Sequence, residues 1–126
     1  KENLSINTNT PSKPSKKEII NQAFKFHSQG NISEATKYYQ YFIKQGFKDH
    51  RVSSNYGVIL KNLGNLQEAE TLYRKAIELN PDYAEAHSNL GNILRYLGKK
   101  VESNECYKKA IDLKPWQIAT AWKINS

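Results

Sequence analysis

The stretch AHSNLGNILRYLG at 86–98 repeats VSSNYGVILKNLG at 52–64, with Ser, Asn, Gly, Ile, Leu, Leu and Gly in identical places 34 residues apart. No other feature constrains the fold as tightly. A unit of about 20–45 residues cannot bury its own apolar face and must stack on a neighbour of the same kind. Extended along the chain, the period gives three units. Gly30, Gly64 and Gly98 coincide, as do Ala23, Gly57 and Gly91, then Phe26, Leu60 and Leu94. Ala35, Ala69 and Ser103 fall together, followed by Tyr39, Tyr73 and Tyr107. Small residues recur where two segments must approach closely, and large ones where the space between units must be filled.

Within each unit the apolar positions recur at helical spacing, and no period-two alternation marks a strand. Ser15 and Glu18 have capping-box spacing, which predicts a helix from 16 onward with Ile19, Ala23 and Phe26 on its inner face. Gly30 and Asn31 break it. A second helix is expected over about 33–45, with Ala35, Tyr38, Tyr39 and Phe42 on one side and Gly46 at its end. Asp49 caps a helix over about 50–63, Gly64 and Asn65 turn the chain, and 68–79 forms the next helix before Asn80 and Pro81. Asp82 and Glu85 repeat the capping-box spacing ahead of helices at about 84–97 and 100–113. The prediction is an all-α, right-handed solenoid of helix-turn-helix units over 16–115, divided by period into 16–49, 50–83 and 84–117.

The flanks differ in composition. Residues 1–15 hold two Pro among Ser, Thr, Asn and Lys and read as a disordered tail or linker. Trp116, Ile118, Trp122 and Ile124 make 116–126 apolar, either a cap over the third unit or a truncated fourth. The single Cys precludes an intrachain disulfide. No apolar run reaches the roughly 20 residues needed to span a bilayer, and no signal pattern opens the chain. A cytoplasmic, reducing setting is expected, and the absence of Met reads as a processed or excised fragment. The net charge of +7 favours acidic partners, although the Lys residues are scattered.

The three aligned units resemble tetratricopeptide repeats. The third reads His87, Leu90-Gly91, Leu94, Ser103, Tyr107 and Pro115 along the family pattern, and the second Ser53, Tyr56-Gly57, Leu60, Ala69, Tyr73 and Pro81. The first departs at its exit, with Phe47 in place of Pro. HSNLGN and LYRKAIELNP are most similar to the repeats of O-linked N-acetylglucosamine transferases and related bacterial proteins. The resemblance implies that the first helices of successive units line a concave groove for ligands. Carried over by position, that groove holds Lys17, Ile20, Asn21, Phe24 and His27 from the first unit. The second contributes Arg51, Ser54, Asn55, Val58 and Lys61. The third contributes Glu85, Ser88, Asn89, Asn92 and Arg95.

Asn21, Asn55 and Asn89 recur at the same position of each unit. An amide offers a carbonyl acceptor and two N–H donors, matching a peptide bond. The resemblance implies an asparagine ladder that holds an extended chain by its backbone. The competing reading is that Asn at this position bonds the neighbouring unit. Lys17, Arg51, Lys61 and Arg95 against Glu85 tilt the groove toward acidic segments or a C-terminal carboxylate, with Arg51 and Arg95 the strongest donors. The carboxylate clamp of chaperone-binding relatives is not reproduced. Ile20 and Phe24 replace its Lys and Asn, and Glu85 and Asn89 replace its basic residues. Chaperone tails are therefore not expected ligands.

Nothing in the sequence has the spacing of a catalytic cluster, a phosphate loop or a metal site, and His27, His50 and His87 fall at unrelated phases of the repeat. The expectation is a non-enzymatic, cofactor-free module that binds a protein or peptide, as the recruiting part of a larger enzyme or alone. Two alternatives carry distinct signatures. A basic nucleic-acid binder would lose affinity steeply with salt. A self-associating scaffold would form homo-oligomers through exposed solenoid ends.

Overall fold

The computed structural model describes residues 13–114, which form six α-helices and, among the described residues, no strand. They are α1 (Lys16–Ser28), α2 (Ile32–Lys44), α3 (His50–Asn62), α4 (Leu66–Leu79), α5 (Ala84–Tyr96) and α6 (Lys100–Leu113). The expected tail at 1–12 and the Trp-containing segment from Pro115 onward lie outside the described residues. The helices fall into two compact units, α1–α2 and α3–α6.

In the first unit the capping box forms as read. The Ser15 hydroxyl accepts from the Glu18 N–H at 3.1 Å, and the Glu18 carboxylate accepts from the Ser15 N–H at 2.8 Å. Both bonds satisfy donors that a helix start leaves unpaired. Replacing Ser15 with Ala removes one of them, and we expect α1 to lose about 1 kcal/mol in a denaturant titration. Asn31 caps α2 through the Glu34 N–H, so this helix starts at Ile32, one residue before the sequence estimate. Ile19 and Ala23 pack into the core with Ala35, Tyr38, Tyr39 and Phe42, all nearly fully buried. Phe26 lies against Tyr38 with ring centroids 5.5 Å apart. Phe47, the residue in the place of Pro, lays its ring 5.4 Å from that of Phe42. The exit turn is thereby held by aromatic packing after Gly46.

In the second unit α3 pairs with α4 and α5 with α6, and α5 also packs against both α3 and α4. Leu60, Ala69, Tyr73, Leu90, Ile93 and Leu94 form the shared core. Gly57 and Gly91 are buried, and a Cβ on either would meet the ring of Tyr73 or Tyr107 at 2.6 and 2.8 Å. The recurring small residue is therefore the seat of the recurring tyrosine. Ser103, where the other units have Ala, is buried but donates to the Gly91 carbonyl at 2.8 Å, so its hydroxyl is satisfied.

One expected local feature does not form. Asp82 and Glu85 make no capping box: the N-cap of α5 is Tyr83, with no side-chain cap bond. The Glu85 carboxylate instead accepts from the Tyr83 hydroxyl at 3.0 Å, and the Asp82 N–H donates to the Asn80 side chain at 3.2 Å. The chain after Pro81 turns once more before the helix begins, so Asp82 is placed one residue too early to cap.

Candidate functional site

The candidate groove residues of the second unit sit on α3 and α5. Asp49 initiates α3 by accepting from the Arg51 N–H at 2.8 Å. The same carboxylate holds the Arg51 guanidinium in a fork, at 3.1 Å to Nε and 2.9 Å to Nη2. Burial pushes the Asp49 carboxyl up, yet the bonds from Arg51 outweigh it and hold it below the usual value. Arg51 is thus committed to its own helix start, which corrects its reading as a leading donor for a bound carboxylate.

Ser54 is another correction. It is 0% exposed, so no ligand touches it. It lies on the side of α3 that meets α5, and its hydroxyl accepts from the Asn89 amide at 3.3 Å. Asn89 therefore does bond the neighbouring repeat, through one of its two N–H groups. Asn55 and Asn89 are both half-buried, as is Ser88. No described residue bonds the Asn55 amide, nor the carbonyl of Asn89.

Toward the ends of these helices, Asn92 and Arg95 converge on Tyr107 of α6. The Tyr107 hydroxyl donates to the Asn92 carbonyl oxygen, and the Arg95 guanidinium carbon stands 6.0 Å from the Tyr107 ring centroid. Lys61, at the position of Arg95 one repeat earlier, is half-buried and makes no ion pair among the described residues.

In the first unit Lys17 and Asn21 are exposed on α1. Ile20 is 7% exposed and belongs to the buried set, so it offers no groove surface. His27 is also withdrawn: its Nδ1 and the Tyr39 hydroxyl are 2.7 Å apart. Burial lowers the His27 pKa below 6.5. The unfolded chain then takes up the proton first as pH falls, so His27 contributes a stability that is complete well above pH 6.5 and is lost as pH drops through the folded pKa. We expect His27→Gln to flatten that part of the stability–pH curve, measured by urea unfolding between neutral and mildly acidic pH.

His50 packs edge-on to Tyr83 at 4.6 Å and bonds Asn80, whereas His87 bonds the Pro81 carbonyl. The three histidines occupy separate surroundings, and no group of three His, Cys, Asp or Glu among the described residues is placed to hold a metal ion. No described helix is long and apolar enough to cross a membrane.

Sequence reasoning missed a cleft of roughly 500 Å³ on the side formed by α4 and α6, floored by Ile77, Leu90 and Cys106. Arg74 crosses between those helices, bonding Glu70 at 3.0 Å and Glu102 at 2.7 Å. The Glu70–Arg74 pair has the visible i,i+4 spacing, but the 28-residue link to Glu102 needs the stacking to be known first. Burial, followed by the Glu102 charge, raises the Cys106 pKa, so this thiol is a packing group.

The comparisons with known proteins agree with this geometry. Residues 57–98 match the family model described as TPR repeat, and 84–115 match the one described as Tetratricopeptide repeat. None of the curated proteins matches the chain in sequence. Among solved structures, the crystal structure of MamA superposes with a TM-score of 0.73 at 22% identity, over 80% of this chain and 59% of MamA. The chain therefore spans less than two thirds of that protein. The first TPR of Spaghetti (RPAP3), bound to the HSP90 peptide SRMEEVD, superposes with a TM-score of 0.72 at 23% identity, over 80% of each chain.

Proposed function

From this tetratricopeptide-repeat architecture, an all-α solenoid of helix-turn-helix units, we infer that the chain is a protein–protein interaction module. It holds an extended segment of a partner polypeptide along its first helices. The observation that carries the reading is the pair Asn55 and Asn89, at one repeat position on adjacent packed helices and both half-buried. Asn89 uses a single N–H on Ser54. Its carbonyl and second N–H, with the whole Asn55 amide, remain as donors and acceptors in the pattern a peptide backbone requires. That one rung also ties two repeats together is compatible with holding a ligand, because it fixes the amide before anything binds. Support also comes from the first TPR of Spaghetti, which has the same fold and holds a peptide. Lys17 and Asn21 extend the same recognition chemistry on α1, and Ser88 adds a short hydroxyl beside Asn89. The resemblance of these repeats to those of O-linked N-acetylglucosamine transferases gives the module the role of recruiting substrate for a larger enzyme in the cytoplasm.

Replacing Asn55 and Asn89 together with Ala is expected to weaken capture of library-selected peptides at least tenfold, from the loss of several hydrogen bonds. Helical content by circular dichroism stays unchanged. Undiminished capture by the double variant refutes the amide ladder.

A further inference from the structure

The third repeat carries a built arrangement of donors that the second lacks. Tyr107 occupies the large aromatic position that recurs as Tyr39 and Tyr73. Its hydroxyl donates to the Asn92 carbonyl, so the acceptor of that amide is occupied and its Nδ2 hydrogens are presented. One helical turn on, Arg95 stands over the Tyr107 ring at 6.0 Å, within cation–π range. Residues three apart on a helix are neighbours. Amide donors and a guanidinium fork are therefore held side by side on one aromatic support, and both half-buried Asn92 and exposed Arg95 are reachable from solvent. In the second repeat the corresponding residues are Val58, Lys61 and Tyr73, and in the first Phe24, His27 and Tyr39.

The surrounding charges single this site out. The α4 cations Arg74 and Lys75 are paired with carboxylates, Arg51 is held by Asp49, and the groove's Glu85 is engaged by Tyr83. No carboxylate among the described residues pairs with Arg95. An Arg with fixed geometry, adjacent amide donors and no resident anion matches the planar, acceptor-only carboxylate.

We propose that Asn92 and Arg95, positioned by Tyr107, form a carboxylate-recognition subsite that selects partners bearing an acidic group. This rests on the peptide-groove reading and adds the chemical class of the ligand. The carboxylate comes from an Asp or Glu side chain or from a chain terminus. Arg95 carries the selectivity; Tyr107 is a positioning residue that touches no ligand.

The test uses a positional-scanning library of synthetic decapeptides, prepared both as free acids and as C-terminal amides. It is screened against the full chain, Arg95→Gln, Arg95→Glu, and Arg74→Gln as an outer-face control. The expected result for the full chain is enrichment of Asp and Glu at one position in both library forms, or of free acids over amides if the group is terminal. Arg95→Gln retains capture but loses the preference, with roughly tenfold weaker binding of the best acidic peptide. Arg95→Glu turns the preference toward Lys and Arg, and Arg74→Gln behaves as the full chain. Tyr107→Phe, which frees the Asn92 carbonyl and keeps the ring under Arg95, narrows the difference between acidic and amide peptides without abolishing capture. The proposal is overturned if the full chain captures peptides with no acidic preference, or if Arg95→Gln and Arg74→Gln select the same acidic sequences. If the full chain captures no peptide at all, the groove reading itself fails and the subsite falls with it.

Discussion

Gly57→Val is expected to destabilise the α3–α6 unit by about 3 kcal/mol, at the upper end of what overpacking costs a close-packed core. The reason is geometric. A Cβ at 57 would lie 2.6 Å from Cε1 and 2.9 Å from Cδ1 of Tyr73. That ring is 1% exposed and sits in the cluster joining α3, α4 and α5, so it has no open space to move into. Burial, followed by the charge of Glu85, pushes the Tyr73 hydroxyl up to about 12, as expected of a phenol enclosed by protein. Gly57→Ala is milder, about 1 kcal/mol, because the helix propensity gained over Gly offsets part of the clash. Chemical denaturation followed by circular dichroism reads both, and Gly57→Val/Tyr73→Leu should recover part of the loss by making room. A Gly57→Val chain as stable as the parent means the ring is not seated on the glycine.

Tyr39→Ala in the first unit is expected to cost about 3–5 kcal/mol, the range for truncating a buried aromatic. Tyr39 is 0% exposed, lies 6.4 Å from the Phe24 ring and bonds His27. Truncation opens a cavity between α1 and α2 and leaves His27 without its partner. The His27 pKa, lowered by burial, should then rise toward 6.5 as water enters. Thermal unfolding measures the first effect, and titration of the His27 ring resonances by NMR the second. An unmoved His27 titration would show that the cavity stays dry and that the hydroxyl has no part in setting the pKa.

The repeat made much of this legible in advance. The helix pairs, the turn glycines and the pairing of small with large residues all follow from aligning three copies, because each is dictated by local backbone and volume. What escaped depends on neighbours in space. Helical phase puts Ser54 and Asn55 on the same inner side of α3. Only the packing of α5 against that side shows Ser54 sealed and Asn55 partly open. Arg51 looked available because its partner, Asp49, reads in sequence as a cap alone. In the structure it caps the helix and grips the guanidinium at once. Ile20 followed the phase of the groove side yet is buried. The donor cluster of Asn92, Arg95 and Tyr107 joins two helices across 15 residues between Asn92 and Tyr107, which spacing within one helix cannot reveal.

The account stands on peptide capture by the first-helix face, and NMR titration of the isotope-labelled chain with a library-selected peptide tests this most directly. The side-chain amide resonances of Asn55 and Asn89 should move together, with backbone shifts following α3 and α5. Shifts confined to α4 and α6, or still amides in a saturated complex, would contradict it.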